Sequence, residues 1–137
     1  AHWMAPAVAR RLLARPADDA GGAAVVEHLR AHPEITAVLG DNDAMAIFAY
    51  VALRRAGVDV PGRVSIVGFD DTDPIPADGG ANCLSSVSLP LEEVGRTGAA
   101  MLLEQIEGRS APDRRIVLPA RFVPRQTVGP APARGVT

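Results

Sequence analysis

Apolar residues recur along this chain at two spacings, and their alternation predicts helices interleaved with short buried strands. Ala5 to Ala14 carries Val8, Leu12 and Leu13 at helical spacing, with Arg10 and Arg11 between them and Pro16 closing the run, which predicts a helix. The polar stretch Ala17-Asp18-Asp19-Ala20-Gly21-Gly22 reads as a flexible break before a second helix, Ala23 to Ala31, with Val25, Val26 and Leu29 inside and Pro33 beyond its end. Ile35-Thr36-Ala37-Val38-Leu39 is a short apolar run stopped by Gly40, the pattern of a buried strand.

A third helix is predicted from about Ala44 to Ala56, with Asp43 as its N-cap, because a short side-chain oxygen there satisfies a free amide of the first turn. Arg54 and Arg55 suit its C-terminal dipole, and Gly57 suits a left-handed cap. No charge occurs from Ala44 through Leu53, so this helix should be covered on more than one face, the second by another copy of the chain. Val64 to Phe69 reads as a second buried strand, Asp73 to Asn82 as a loop and Leu84 to Leu89 as a third strand. Pro90 opens a last helix, with Glu92 and Glu93 in its first turn and Val94, Ala99, Leu102, Leu103 and Ile106 leading to Gly108. Short strands Ile116–Leu118 and Arg121–Val123 follow, then a Pro/Gly/Ala tail, 129–137, expected to be disordered. Strands without polar alternation between helices predict an α/β layered fold containing a parallel sheet.

The 137 residues, 47% of them apolar, are enough for one ordinary core. A net charge of −2 offers no electrostatic footprint for nucleic acid, and no apolar run approaches membrane-spanning length. One cysteine, Cys83, rules out an intrachain disulfide framework, and Ala1-His2-Trp3-Met4 lacks a signal-peptide pattern, so a cytoplasmic location is expected.

Ligands of open α/β sheets bind beyond the carboxyl ends of the strands. Two such ends are polar here, Asp41-Asn42-Asp43 and Asp70-Asp71, a set of carboxylates and an amide suited to a hydroxyl-rich neutral ligand. Asp70 is the candidate ligand contact and Asp71 an anchor of the loop, while Asn42 stays open between cap and ligand contact. His28 and His32 stand four apart as in helical zinc motifs, but no Glu follows His28 and Pro33 ends the helix, so solvated surface histidines are expected and no metal or cofactor is implied. Cys83 has no obvious nearby base and no Gly-rich phosphate loop is present, so the chain is not read as an enzyme. Asp71-Thr72-Asp73 mimics the DxD of haloacid-dehalogenase-like phosphatases, a remote alternative weakened by the absence of any Lys to balance phosphate.

Five ordered pieces carry a more specific likeness: Ile35-Thr36-Ala37-Val38, Asn42-Asp43-Ala44-Met45-Ala46, Gly57-Val58-Asp59-Val60-Pro61, Ser65-Ile66-Val67-Gly68-Phe69-Asp70-Asp71, and Gly95-Arg96. With the ending Leu118-Pro119-Ala120-Arg121-Phe122-Val123-Pro124-Arg125-Gln126-Thr127, the chain resembles the C-terminal part of the effector-binding core of LacI/GalR transcription regulators. The resemblance implies a partial periplasmic-binding-protein-like type I fold over 1–128, mostly its C-terminal lobe, with about 90–117 crossing to the N-terminal lobe. It also implies a homodimeric repressor that senses a small sugar or polyol and meets operator DNA through a helix-turn-helix upstream. By the same likeness Asp70 and Asn42 contact effector, and Trp3, otherwise a packing residue, stacks on it. A periplasmic sugar receptor of the same fold is the alternative.

Overall fold

The computed structural model describes residues 19–76, 80–109 and 113–132. Their elements run in the order α1 (Asp19–Ala31), β1 (Ala37–Leu39), α2 (Asp43–Arg55), β2 (Ser65–Asp70), β3 (Ser85–Ser88), α3 (Leu91–Ile106) and β4 (Arg121–Val123). The strands form one sheet in chain order, β1 to β2 and β2 to β3 parallel, β3 to β4 antiparallel. This is the α/β layered parallel sheet that the sequence predicts.

The core lies between the sheet and the pair α1 and α2. Ala46, Ala49 and Leu53, spaced three and four apart, give α2 one buried stripe over β2. Val25, Val26 and Leu29 bring α1 into the same cluster. Leu53, Val64, Ile66 and Leu84 are fully buried; each contributes about 1.5–3 kcal/mol relative to exposure. Gly57 takes the left-handed turn after α2, at φ +73°, with Val58 N–H bonded to the Leu53 carbonyl.

Three boundaries differ from the sequence reading. Helix α1 begins at Asp19, so the expected break at Asp19 to Gly22 is helical. Gly22 lies where an added Cβ would stand 3.2 Å from the Ala52 Cβ, so the glycine serves close approach of α1 to α2. Strand β1 starts at Ala37, because the Ile35 and Pro33 carbonyls accept from the Arg63 guanidinium instead of a sheet neighbour. Ile116–Leu118 is not a strand and pairs with none among the described residues; β4 occupies the edge of β3.

Helix α3 forms where predicted, yet none of its residues is buried, and Val94, Leu102, Leu103 and Ile106 are at least half exposed. Of the segment expected to be a tail, Gly129 donates its N–H to the Ser65 hydroxyl at 3.2 Å, and 133–137 lie outside the described residues. Trp3 and the predicted helix 5–14 also lie outside them.

Candidate functional site

The parallel pairing brings the carboxyl ends of β1, β2 and β3 to one edge of the sheet, and β4 starts there. Leu39 and Val67 are register partners, so Asn42 and Asp70 each lie three residues beyond the same rung. Three rungs further on, Asp70 lies opposite Ser88, and Ser88 opposite Arg121. The chain leaves β1 through Gly40, where a Cβ would stand 2.6 Å from the Ala46 nitrogen, so the turn lies directly on the start of α2.

Asn42, not Asp43, is the N-cap of α2. Its backbone is extended, and its Oδ1 accepts from the Met45 N–H at 2.9 Å. The expected N-cap Asp43 sits one residue further in and is buried, 1% exposed. Its Oδ1 accepts from the Ser86 hydroxyl at 2.5 Å, and its Oδ2 from the Thr72 and Asp73 amides at 2.7 and 3.1 Å. The cap moves because those donors draw Asp43 inward, leaving Asn42 the free amides. The Asn42 Nδ2 has no partner among the described residues and lies on an exposed side chain.

Asp70 and Asp71 both take left-handed backbone, φ 98° and 60°, which costs a non-glycine residue of order 1–3 kcal/mol. Their side chains differ in use. Asp71 is held by Arg125 in a two-point ion pair, at 2.7 and 3.2 Å, and Arg125 also donates to the Leu84 carbonyl at 2.6 Å. The Asp71 hydrogen bonds, with the nearby charges of Asp71 and Asp43, raise the Arg125 pKa above its ordinary value against opposing desolvation. Asp71 therefore anchors its loop, as predicted. The Asp70 carboxylate makes no hydrogen bond or ion pair among the described residues.

The sequence reading missed the roles of Ser86 and Arg125. Arg125 stood in a recognised motif, but its partner, 54 positions away, carried no local signal. Two concavities lie away from this edge: about 560 Å³ between α1 and α2, and about 230 Å³ between α3 and Ile116 and Leu118. Asn42 and Asp70 line neither.

His28 and His32 are not the solvated pair expected. Their ring centroids lie 4.6 Å apart, the His28 Nε2 is buried without a hydrogen-bond partner among the described residues, and the His32 Nδ1 lies 3.3 Å from a Glu34 carboxylate oxygen. Their spacing of four at the end of α1 puts both rings on one face. Among the described residues no group of three or more His, Cys, Asp or Glu is placed to hold a metal, and no helix is long and apolar enough to cross a membrane.

The model of the periplasmic binding protein-like domain matches residues 3–128. The chain belongs to this family. Within the family its similarity is to LacI-type transcription regulators, over their C-terminal effector-binding region. The regulator CelR of Thermobifida fusca is 34% identical over 109 residues, 80% of this chain and 32% of that protein. A solved complex of a regulator CelR with cellobiose superimposes with a TM-score of 0.67 at 34% identity, over 80% of this chain and 33% of that one. A LacI family regulator from Arthrobacter sp. FB24, solved with lactose, gives 0.64 at 31% identity, over 79% and 41%. The chain spans 25–32% of the length of the first relatives it matches.

Proposed function

We propose that this chain is the second half of the ligand-sensing core of a bacterial DNA-binding transcription regulator, and that Asp70 and Asn42 bind a small sugar at the carboxyl edge of its sheet. The observation that carries this reading is the chemistry left unused at that edge. Asp70 offers an unpartnered acceptor, while Asn42 spends its oxygen on the helix cap and keeps its NH2 as a donor. A sugar hydroxyl donates one hydrogen bond and accepts others, so it answers both groups. The lactose and cellobiose held by the two similar regulators support the ligand class. Trp3 is proposed to stack on the sugar.

Sensing follows by population shift: the sugar binds one arrangement of the lobes better and passes that bias to an operator-binding helix-turn-helix. Residues 90–117 cross to the other lobe in this reading, which would cover the exposed apolar face of α3. The chain is not an enzyme in this reading, since Asp71, the residue a phosphatase would need as nucleophile, is neutralised by Arg125. The regulator works in the cytoplasm, where operator DNA is.

In the full-length protein, Asp70→Ala should weaken sugar binding by about 1.5–3 kcal/mol, the range for a hydrogen bond to a charged group. Calorimetric titration with lactose and cellobiose reads this, and unchanged affinity with an intact circular dichroism spectrum rejects the site. The regulator is also expected to be a homodimer through α2, whose uncharged run leaves Val51 exposed and Tyr50 half-buried beside the stripe that meets the sheet. Val51→Glu or Tyr50→Glu should halve the mass measured by light scattering. If neither does, that face is not the dimer contact.

A further inference from the structure

The Asp43 carboxylate is buried, fully used and shared among parts of the fold that do not otherwise need it. One oxygen takes the β3 hydroxyl of Ser86; the other takes the amides of Thr72 and Asp73, which directly follow Asp70 and Asp71. Asp43 itself directly follows the cap residue Asn42. The carboxylate thus bridges the two sides of the candidate site. Space for it is provided by Gly68, where an added Cβ would stand 2.2 Å from the Asp43 Oδ1. Asp43 stands in the first turn of α2.

Two strained residues make that bridge consequential. Asp70 and Asp71 hold left-handed backbone, and such strain persists only where surroundings over-determine it. Arg125 restrains this turn through Asp71, and Asp43 restrains the two residues that follow it. Without the second restraint, the chain after Asp71 is free to relax toward ordinary φ, and the direction of Asp70 changes with it. We propose that Asp43 is a positioning residue of the ligand site, holding the Asp70 turn in register with Asn42 so that one ligand hydroxyl meets both. The assignment rests on the sugar-sensing reading above for its ligand, but not for its geometry.

The test uses the full-length protein with Ser86→Ala, Ser86→Thr and Asp43→Asn, two readouts and two sugars. Ser86→Ala removes one of the three bonds to the carboxylate. Its urea midpoint should stay close to the parent's, while hydrogen exchange at the Thr72 and Asp73 amides accelerates about tenfold and the dissociation constant for lactose or cellobiose rises about tenfold. Ser86→Thr keeps the hydroxyl and should restore both values. Asp43→Asn can still accept from both amides with its oxygen and donate to Ser86 with its nitrogen, so it should stay nearer the parent than Ser86→Ala. If the parent binds neither sugar, the ligand reading fails by itself, and selective acceleration at Thr72 and Asp73 still supports the geometric assignment. The proposal is overturned if exchange at those amides is unchanged in Ser86→Ala, if it rises only in step with every other amide of the sheet, or if a sugar-binding parent loses no affinity.

Discussion

Asp43→Ala is expected to destabilise the full-length protein by about 3–5 kcal/mol, because it removes the shared acceptor of three donors, one of them fully buried. Ser86 is fully buried, and its hydroxyl has no alternative acceptor in the set of bonds that Asp43 supplies. Thr72 and Asp73 are exposed residues beside a strained turn, and their amides lose the protein acceptor that holds them there. Alanine also leaves a gap against Gly68 that no Cβ fills. Domains hold only about 5–15 kcal/mol in total, so the loss consumes a large share of the margin. Urea unfolding followed by circular dichroism measures it, and a loss below about 1 kcal/mol would mean that water replaces the carboxylate without penalty.

The second large effect is expected at Arg125. Arg125→Met should destabilise by about 3 kcal/mol, toward the lower end for breaking a buried pair, because the two side chains keep 22% and 15% of their surface. Methionine leaves the Asp71 carboxylate without its partner and the Leu84 carbonyl without its guanidinium donor. The folded-state pKa of Arg125 is raised, chiefly by hydrogen bonding to Asp71. A raised value adds stability that is complete below the ordinary arginine pKa and is lost only as pH rises through the higher folded one. The titration of Arg125 itself should therefore leave the difference between parent and variant constant from about pH 5 to 9. Denaturant midpoints across that range check both points, and an unchanged midpoint in Arg125→Met would show that water substitutes for the guanidinium.

The regular elements were legible because period is a local property. The spacing of Val25, Val26 and Leu29 and the unalternated run from Val64 to Phe69 declare a helix and a buried strand without reference to anything distant. Where tertiary contacts overrode local preference, the reading slipped. Asp19 to Gly22 has the composition of a break, yet it is helical, and Gly22 owes its place to Ala52 on another helix. Ile116–Leu118 has strand composition but finds no edge to join. The site shows the same division. Asp70 and Asn42 were marked by their places at strand ends, and the model puts them on neighbouring strand ends. The burial of Asp43 depends on Ser86, 43 positions on, so its sequence context suggested only a cap.

The missing side chain at Gly68 has an evolutionary consequence. Positions 43, 68 and 86 form a closed set: a carboxylate at 43 excludes even a methyl group at 68, and a hydroxyl at 86 without that carboxylate is stranded. Substitutions among them should be strongly epistatic: changes at 43 and 68 are costly alone and milder in combination, whereas loss of the hydroxyl at 86 is tolerated alone, as expected for residues in direct contact. A lineage can acquire alanine at 68 cheaply only after 43 has shortened, and can shorten 43 cheaply only after 86 has lost its hydroxyl. The order of replacement is thus constrained, with position 86 changing before 43 and 43 before 68.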